Sequence, residues 1–239
     1  MRGGLSAPGV PDALAAALEM ETNLVDSIFR GSNGTQSVAN VYGEDYTEYV
    51  NQLTSECSRR CDFSSPRVVV ILARSVDNAS AVAVRLAKAN GPALLPLFVD
   101  QANGNSINDR ADALGWIANI AARSDALTSE QTAMIDSSLI RCVLRTCPEV
   151  VVFDAVRSIG KIVDVRADLA PNRRLAFHRA VIAATSHPDK HTRWSAVEAL
   201  GAFRDTSDLA LLQKLAEAEP KNLGAAAASA SARIRKRVP

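Results

Sequence analysis

The sequence predicts an all-α fold of stacked antiparallel helix pairs, and three observations predict it. Aromatic residues make up only 5% of the chain while alanine is abundant, which suits closely packed helices better than a sheet sandwich. Similar segments recur every 40–42 residues. Each recurrence opens on a residue suited to starting a helix.

The repeat is clearest between SPRVVVILARS (65–75) and CPEVVVFDAVRS (147–158), with SINDRADALGWIANI (106–120) midway. HTRWSAVEALGAFRD (191–205) and NLGAAAASASARIRK (222–236) continue the series. A small residue anchors each copy: Ala73, Ala113, Ala155, Ala196 and Ala227, spaced 40, 42, 41 and 31 residues apart. A helix pair this short cannot bury its own apolar face, so successive pairs must cover one another.

The start signals are Ser65, Ser106, Thr146, Asp189 and Asn222, whose side chains can accept bonds from the first free backbone N–H groups. Thr146-Cys-Pro-Glu149 and Thr128-Ser-Glu-Gln131 both fit a capping box. Pro66 and Pro148 suit a first helical turn, where a missing N–H does no harm. Second helices are expected near 79–98, 128–146, 171–186 and 207–218. The Val-Val-Val runs favour strands taken alone, but the aligned copies at 106 and 191 read as helix, so all copies are assigned helix. Trp194, Val197, Leu200 and Gly201 mark one face of the fourth copy, and Leu209, Leu212 and Leu215 one face of the helix after it.

A period of 40–42 residues carrying two helices resembles the HEAT repeat family, across about residues 65–239. TRWSAVEALGAF and DRADALGWIANI match best, with Arg193 and Arg110 at a position where such repeats often carry arginine. Val70, Val152 and Gly224 stand there in the other copies. The resemblance implies a right-handed α-solenoid over 65–239, with repeats beginning near 66, 106, 148, 189 and 222. It also implies a binding role, because stacked helix pairs present an extended surface.

Residues 1–64 are expected to form a helical capping region. PDALAAALEMETNLVDSIFR (11–30) reads as a helix bounded by Pro11 and Gly31. GSNGTQSVAN (31–40) reads as a loop, and 42–61 as a second helix. Tyr42, Tyr46 and Tyr49, the chain's three tyrosines, share one face of it. That stripe either packs inward or forms a partner site, since tyrosine joins apolar area to a polar tip.

Net charge is +1, unevenly spread: −5 over residues 1–64 and +6 over 160–239. A basic end attracts acidic protein or nucleic acid, and Arg173, Arg174, Arg179 and Arg193 are the candidate contacts there. The tail Arg233, Arg235, Lys236 and Arg237 reads rather as a solvated surface. No run approaches 18 consecutive apolar residues, so no membrane span is expected. MRGGLSAPGVPDALAAAL lacks the apolar core of a secretory signal, which favours the cytoplasm, with export after signal removal as the alternative.

The residues that carry chemistry form no recognised pattern. Cys57-x3-Cys61 and Cys142-x4-Cys147 lie about two repeats apart, too far to share one zinc ion. Buried free thiols are expected, with Cys142–Cys147 the favoured pair for a disulfide if the protein is exported. His187-Pro-Asp-Lys-His191 matches no ligand spacing and reads as a turn with a cap at Asp189. No phosphate-binding loop, dinucleotide fingerprint, metalloprotease motif or nucleophile elbow occurs. No cofactor and no metal are expected. One enzyme class survives by resemblance, because some HEAT-like folds are alkylpurine DNA glycosylases. That resemblance would bring Asp112, Trp116 and Trp194 to a DNA groove. The bland reading places both tryptophans in the core. The expectation is therefore a non-catalytic HEAT-like scaffold or adaptor that binds another protein, with nucleic-acid binding through the basic third as the alternative.

Overall fold

The computed structural model describes residues 13–21, 44–61, 65–75, 78, 80–145 and 147–236. Every regular element among them is helical. The elements are α1 (13–21), α2 (Glu44–Arg60), α3 (Pro66–Ser75), α4 (Ala81–Ala102), α5 (Ile107–Arg123), α6 (Ser129–Leu144), α7 (Glu149–Val165), α8 (Pro171–Ala184), α9 (Lys190–Phe203), a 3-10 turn at Thr206–Asp208, α10 (Leu209–Ala218) and α11 (Gly224–Arg235). Both valine runs are helical, within α3 and α7. The chain divides into two compact units, Met1–Leu86 and Ala87–Pro239.

In the first unit α2 packs on α3. Val68, Val69, Ile71, Leu72 and Ala73 of α3 are buried, as are Ala15 and Leu18 of α1. A disulfide joins Cys57 to Cys61, whose Cα atoms are 4.9 Å apart. This corrects the expected pairing: positions four apart share a helical face, so their side chains meet. Cys142 and Cys147 are free. Tyr42, the 31–40 loop, Thr146 and Arg237 lie outside the described residues.

In the second unit α7 packs against both α5 and α9, and α9 against α11. The contacts give their direction. Ser158 Oγ donates to Leu114 O at 3.0 Å, while Arg166 at the end of α7 donates to Ser124 O at the end of α5. Gly160 lies against Ala199, and Asp164 receives Arg204. Arg193 pairs with Glu219, and Gly201 meets Ala230. All four helices therefore run parallel. On the other side Gln131 Nε2 donates to Pro92 O and Arg141 to Asn103, so α4 and α6 run parallel as well. Arg173 of α8 pairs with Asp136 of α6.

Gly160 and Gly201 stand 41 residues apart, one period of the sequence repeat. A Cβ at Gly160 would lie 3.0 Å from Ala199 Cβ, and one at Gly201 would lie 3.0 Å from Ala230 Cα. No side chain intervenes at either position, so the paired helices approach closely there. Ala113, Ala155, Ala196 and Ala227 are buried as well.

Helix starts follow the expected chemistry in part. Ser106 and Asp189 accept from Asp109 N and Thr192 N, and the carbonyl of Ser65 accepts from Val69 N. The Thr128–Gln131 capping box is complete, with both bonds at 3.1 Å. Thr128→Ala should cost about 1 kcal/mol, read as a lower urea midpoint with unchanged slope. Two expectations fail. Helix α7 begins at Glu149 with Pro148 at the cap position, so Glu149 sits too early to close a box with Thr146. Helix α11 is preceded by Leu223 rather than capped by Asn222.

Trp194 corrects a further expectation. Trp116 is fully buried, stacked on Phe98 at 4.7 Å, but Trp194 is 45% exposed. It lies near the start of α9, whereas the parallel neighbour α11 begins only at Gly224, beyond Glu219 in the shortened last unit.

By length and composition alone, helix α4 is long and apolar enough to cross a membrane. It also carries Arg85, Lys88 and Asp100, and Leu94, Leu95 and Phe98 are buried.

Candidate partner-binding surface

Helix α8 is apolar on two opposite faces. Phe177, Ala180, Val181 and Ala184 are buried, while Leu175 and Ile182 stand 48% and 37% exposed on the other side. Arg179 lies between them, giving an outward stripe at i, i+4 and i+7. Arg179 is exposed, and no carboxylate pairs with it among the described residues.

Beside the stripe is an open recess of about 450 Å³, lined by Pro171, Arg174, Leu175, His178, Phe203 and the 204–206 turn. Its geometry follows from how α9 ends. Arg204 adopts a left-handed backbone conformation, φ 55°, which closes the helix and turns the chain into the 3-10 segment. Asp205 caps that segment, accepting from Ser207 N and Oγ at 2.9 and 2.8 Å. The segment delivers Asp208, itself buried, to the imidazole of His178. His178 Nε2 lies 3.0 and 2.9 Å from the two Asp208 oxygens. Arg174 donates to Phe203 O at 2.5 Å, with its guanidinium 5.7 Å from the Phe203 ring centre.

The Asp208 hydrogen bond raises the pKa of His178 above the usual imidazole value, against the opposing effect of burial. The negative charges of Asp208 and Asp205 act in the same upward direction, and Arg174 acts against them. A group with a raised folded-state pKa contributes its full stabilisation below the unfolded value, about 6.5 for histidine. That contribution fades as pH rises through the folded-state pKa. The wild-type chain should therefore lose stability between mildly acidic and mildly alkaline pH. His178→Gln can still donate to Asp208 but does not titrate. Denaturation across that window should show a flatter profile for the variant, and matching slopes would exclude His178 as the source.

The four basic candidates differ in what they hold. Arg173 Nε lies 2.7 and 2.9 Å from the Asp136 oxygens, and its guanidinium sits 5.3 Å from the Phe177 ring centre. Arg193 grips Glu219 with two bonds, 2.9 and 2.7 Å, and also donates to the carbonyls of His187 and Pro188. Arg173 links α8 to α6 of the preceding pair, whereas Arg193 ties α9 to the turn before it and to the C-terminal cap of α10. Arg174 and Arg179 border the recess and the stripe. Of the tyrosines, Tyr46 and Tyr49 lie in α2, and Tyr49 is 47% exposed. The structure thus brings together Arg174 and Arg179 on α8 and leaves Tyr46 and Tyr49 in the other unit.

The arginines shared by the two best repeat copies occupy equivalent posts. Arg110 donates to Ala102 O and to Cys147 Sγ at 3.1 Å each, joining the end of α4 to the segment before α7, much as Arg193 joins the turn before α9 to the end of α10. Burial pushes the Cys142 thiol up to about 11, with the neighbouring Cys147 acting in the same direction. His187 Nδ1 accepts from Asp189 N at 3.1 Å, so this histidine completes the turn that Asp189 caps. No group of three His, Cys, Asp or Glu side chains suited to a metal occurs among the described residues.

Leu175, His178, Ile182, Phe203 and Asp208 were not singled out by sequence. The available signal was helix 171–184 itself, whose apolar residues fall on both sides and so exceed what one buried face requires. The His178–Asp208 pairing spans 30 residues and follows from the 3-10 turn, which no local motif announces. No protein-family model, curated protein or solved structure matches the chain.

Proposed function

We propose that the chain is a non-catalytic protein-binding scaffold or adaptor built as a HEAT-like, right-handed α-solenoid. The observation that carries this reading is the parallel series α5, α7, α9 and α11, in which Gly160 and Gly201 repeat the same close contact one sequence period apart. Such repetition builds an elongated surface rather than an enclosed active site. The outward stripe of α8 supplies apolar area of the kind that partners cover.

The nucleic-acid alternative has less support. Arg173 and Arg193 are held in internal ion pairs, and the buried Trp116 offers no face to a base. Affinity capture of the full chain with cross-linking mass spectrometry tests the scaffold reading. Reproducible protein cross-links into the second unit are expected, with no mobility shift of duplex DNA at physiological salt. Retention that disappears on nuclease treatment would overturn it in favour of nucleic-acid binding.

A further inference from the structure

We propose that the outward face of α8 and the adjoining recess receive an acidic amphipathic helical segment of a partner protein. This rests on the scaffold reading and names the partner's chemistry. Leu175 and Ile182 are seven residues apart and both exposed, the spacing with which one helix presents apolar anchors to another. Pro171 and Phe203 extend the apolar floor from Leu175 into the recess.

Charge complementarity selects the acidic partner. Arg179 projects between the two aliphatic side chains and has no carboxylate partner among the described residues. Arg174 is steadied by Phe203 O and the Phe203 ring at the recess wall, so little side-chain freedom remains to be lost on binding. The nearby carboxylates are already engaged. Asp205 is bonded within its own turn, and Asp208 is buried against His178. Asp164 is shared between Arg204 and Arg233, at 3.3 and 3.0 Å. A basic residue in the ligand would find no free carboxylate among these three, whereas a glutamate beside a leucine meets Arg179 or Arg174. The two exposed aliphatic side chains that flank Arg179 suit a protein segment better than a phosphate backbone, which carries no apolar complement.

Fluorescence anisotropy on the full chain tests this. The probe is a labelled helix-forming peptide with leucines along one face and glutamates on its flanks. A matched peptide has lysine in place of every glutamate, and an unlabelled DNA duplex serves as competitor. Saturable binding of the glutamate peptide is expected, with no saturation by the lysine peptide and no displacement by DNA. Arg179→Glu and Leu175→Asp should each weaken binding about tenfold. Both positions are exposed, and circular dichroism checks that helix content is kept. Trp194→Ala, an exposed apolar residue on a different helix, should leave the affinity unchanged. The proposal is overturned by a glutamate peptide that does not saturate, by equal affinity of both substituted chains, or by displacement with DNA. If a chain carrying both α8 substitutions still yields the same protein cross-links, the scaffold reading stands and this face falls.

Discussion

Trp116→Ala should lower folding stability by about 3–5 kcal/mol, the range for emptying a large aromatic site. Trp116 is fully buried, and its ring stacks on Phe98 at 4.7 Å with the planes 7° apart. The substitution therefore loses both buried area and a specific ring contact. One detail sharpens the prediction. The indole Nε1 is buried with no hydrogen-bond partner among the described residues, and such a donor costs about 1–3 kcal/mol relative to being solvated. Trp116→Phe removes that donor while keeping a stacking ring, so it should cost far less than alanine, roughly 1–2 kcal/mol for the lost volume. Urea denaturation of both variants gives the comparison. A phenylalanine variant as unstable as the alanine variant would mean that the indole nitrogen is satisfied.

Gly201→Leu should cost about 3 kcal/mol through overpacking. A glycine inside a helix is ordinarily a weakness of about 0.5–1 kcal/mol relative to alanine, so filling it would normally help. Here the first atom added meets backbone, 3.0 Å from Ala230 Cα and 3.2 Å from Ala230 Cβ. The two helices would have to separate, because backbone cannot step aside as a flexible side chain can. Gly201→Ala should already fail to gain the usual increment. Gly224 provides the contrast: a Cβ there meets nothing within 4 Å, so Gly224→Ala should be neutral or stabilising. Thermal melts of the three variants decide the matter. A Gly201→Leu chain as stable as wild type would show that α9 and α11 do not approach as closely as described.

What was legible in the sequence was whatever the chain repeats. The recurring small residues led to the buried alanines and to the period on which Gly160 and Gly201 fall. Caps that depend on a side chain three residues from its target, such as Thr128 and Asp189, could be read directly. Where proline or a shortened unit moved the helix start, as at Pro148 and Leu223, the same rule misplaced the boundary. Trp194 was misread because a face marked by spacing is buried only where a neighbour is long enough to cover it. The candidate surface was half legible: basic residues at 174 and 179 stood out by charge. Its apolar half and the His178–Asp208 contact depend on which side of α8 its neighbours leave uncovered, and that is decided by packing between distant segments.

The common direction of α5, α7, α9 and α11 has an electrostatic consequence. Peptide dipoles add along a helix, leaving roughly half a positive charge at each N-terminus and half a negative one at each C-terminus. Parallel neighbours place these fractional charges in rows. Asp109, Glu149 and Asp189 stand along the row of positive ends, and Arg123, Arg166, Arg204 and Arg233 along the negative one. A molecule of net charge +1 would ordinarily respond little to ionic strength. This one should soften as salt rises, because mobile ions weaken both rows of side chains against the helix ends they neutralise.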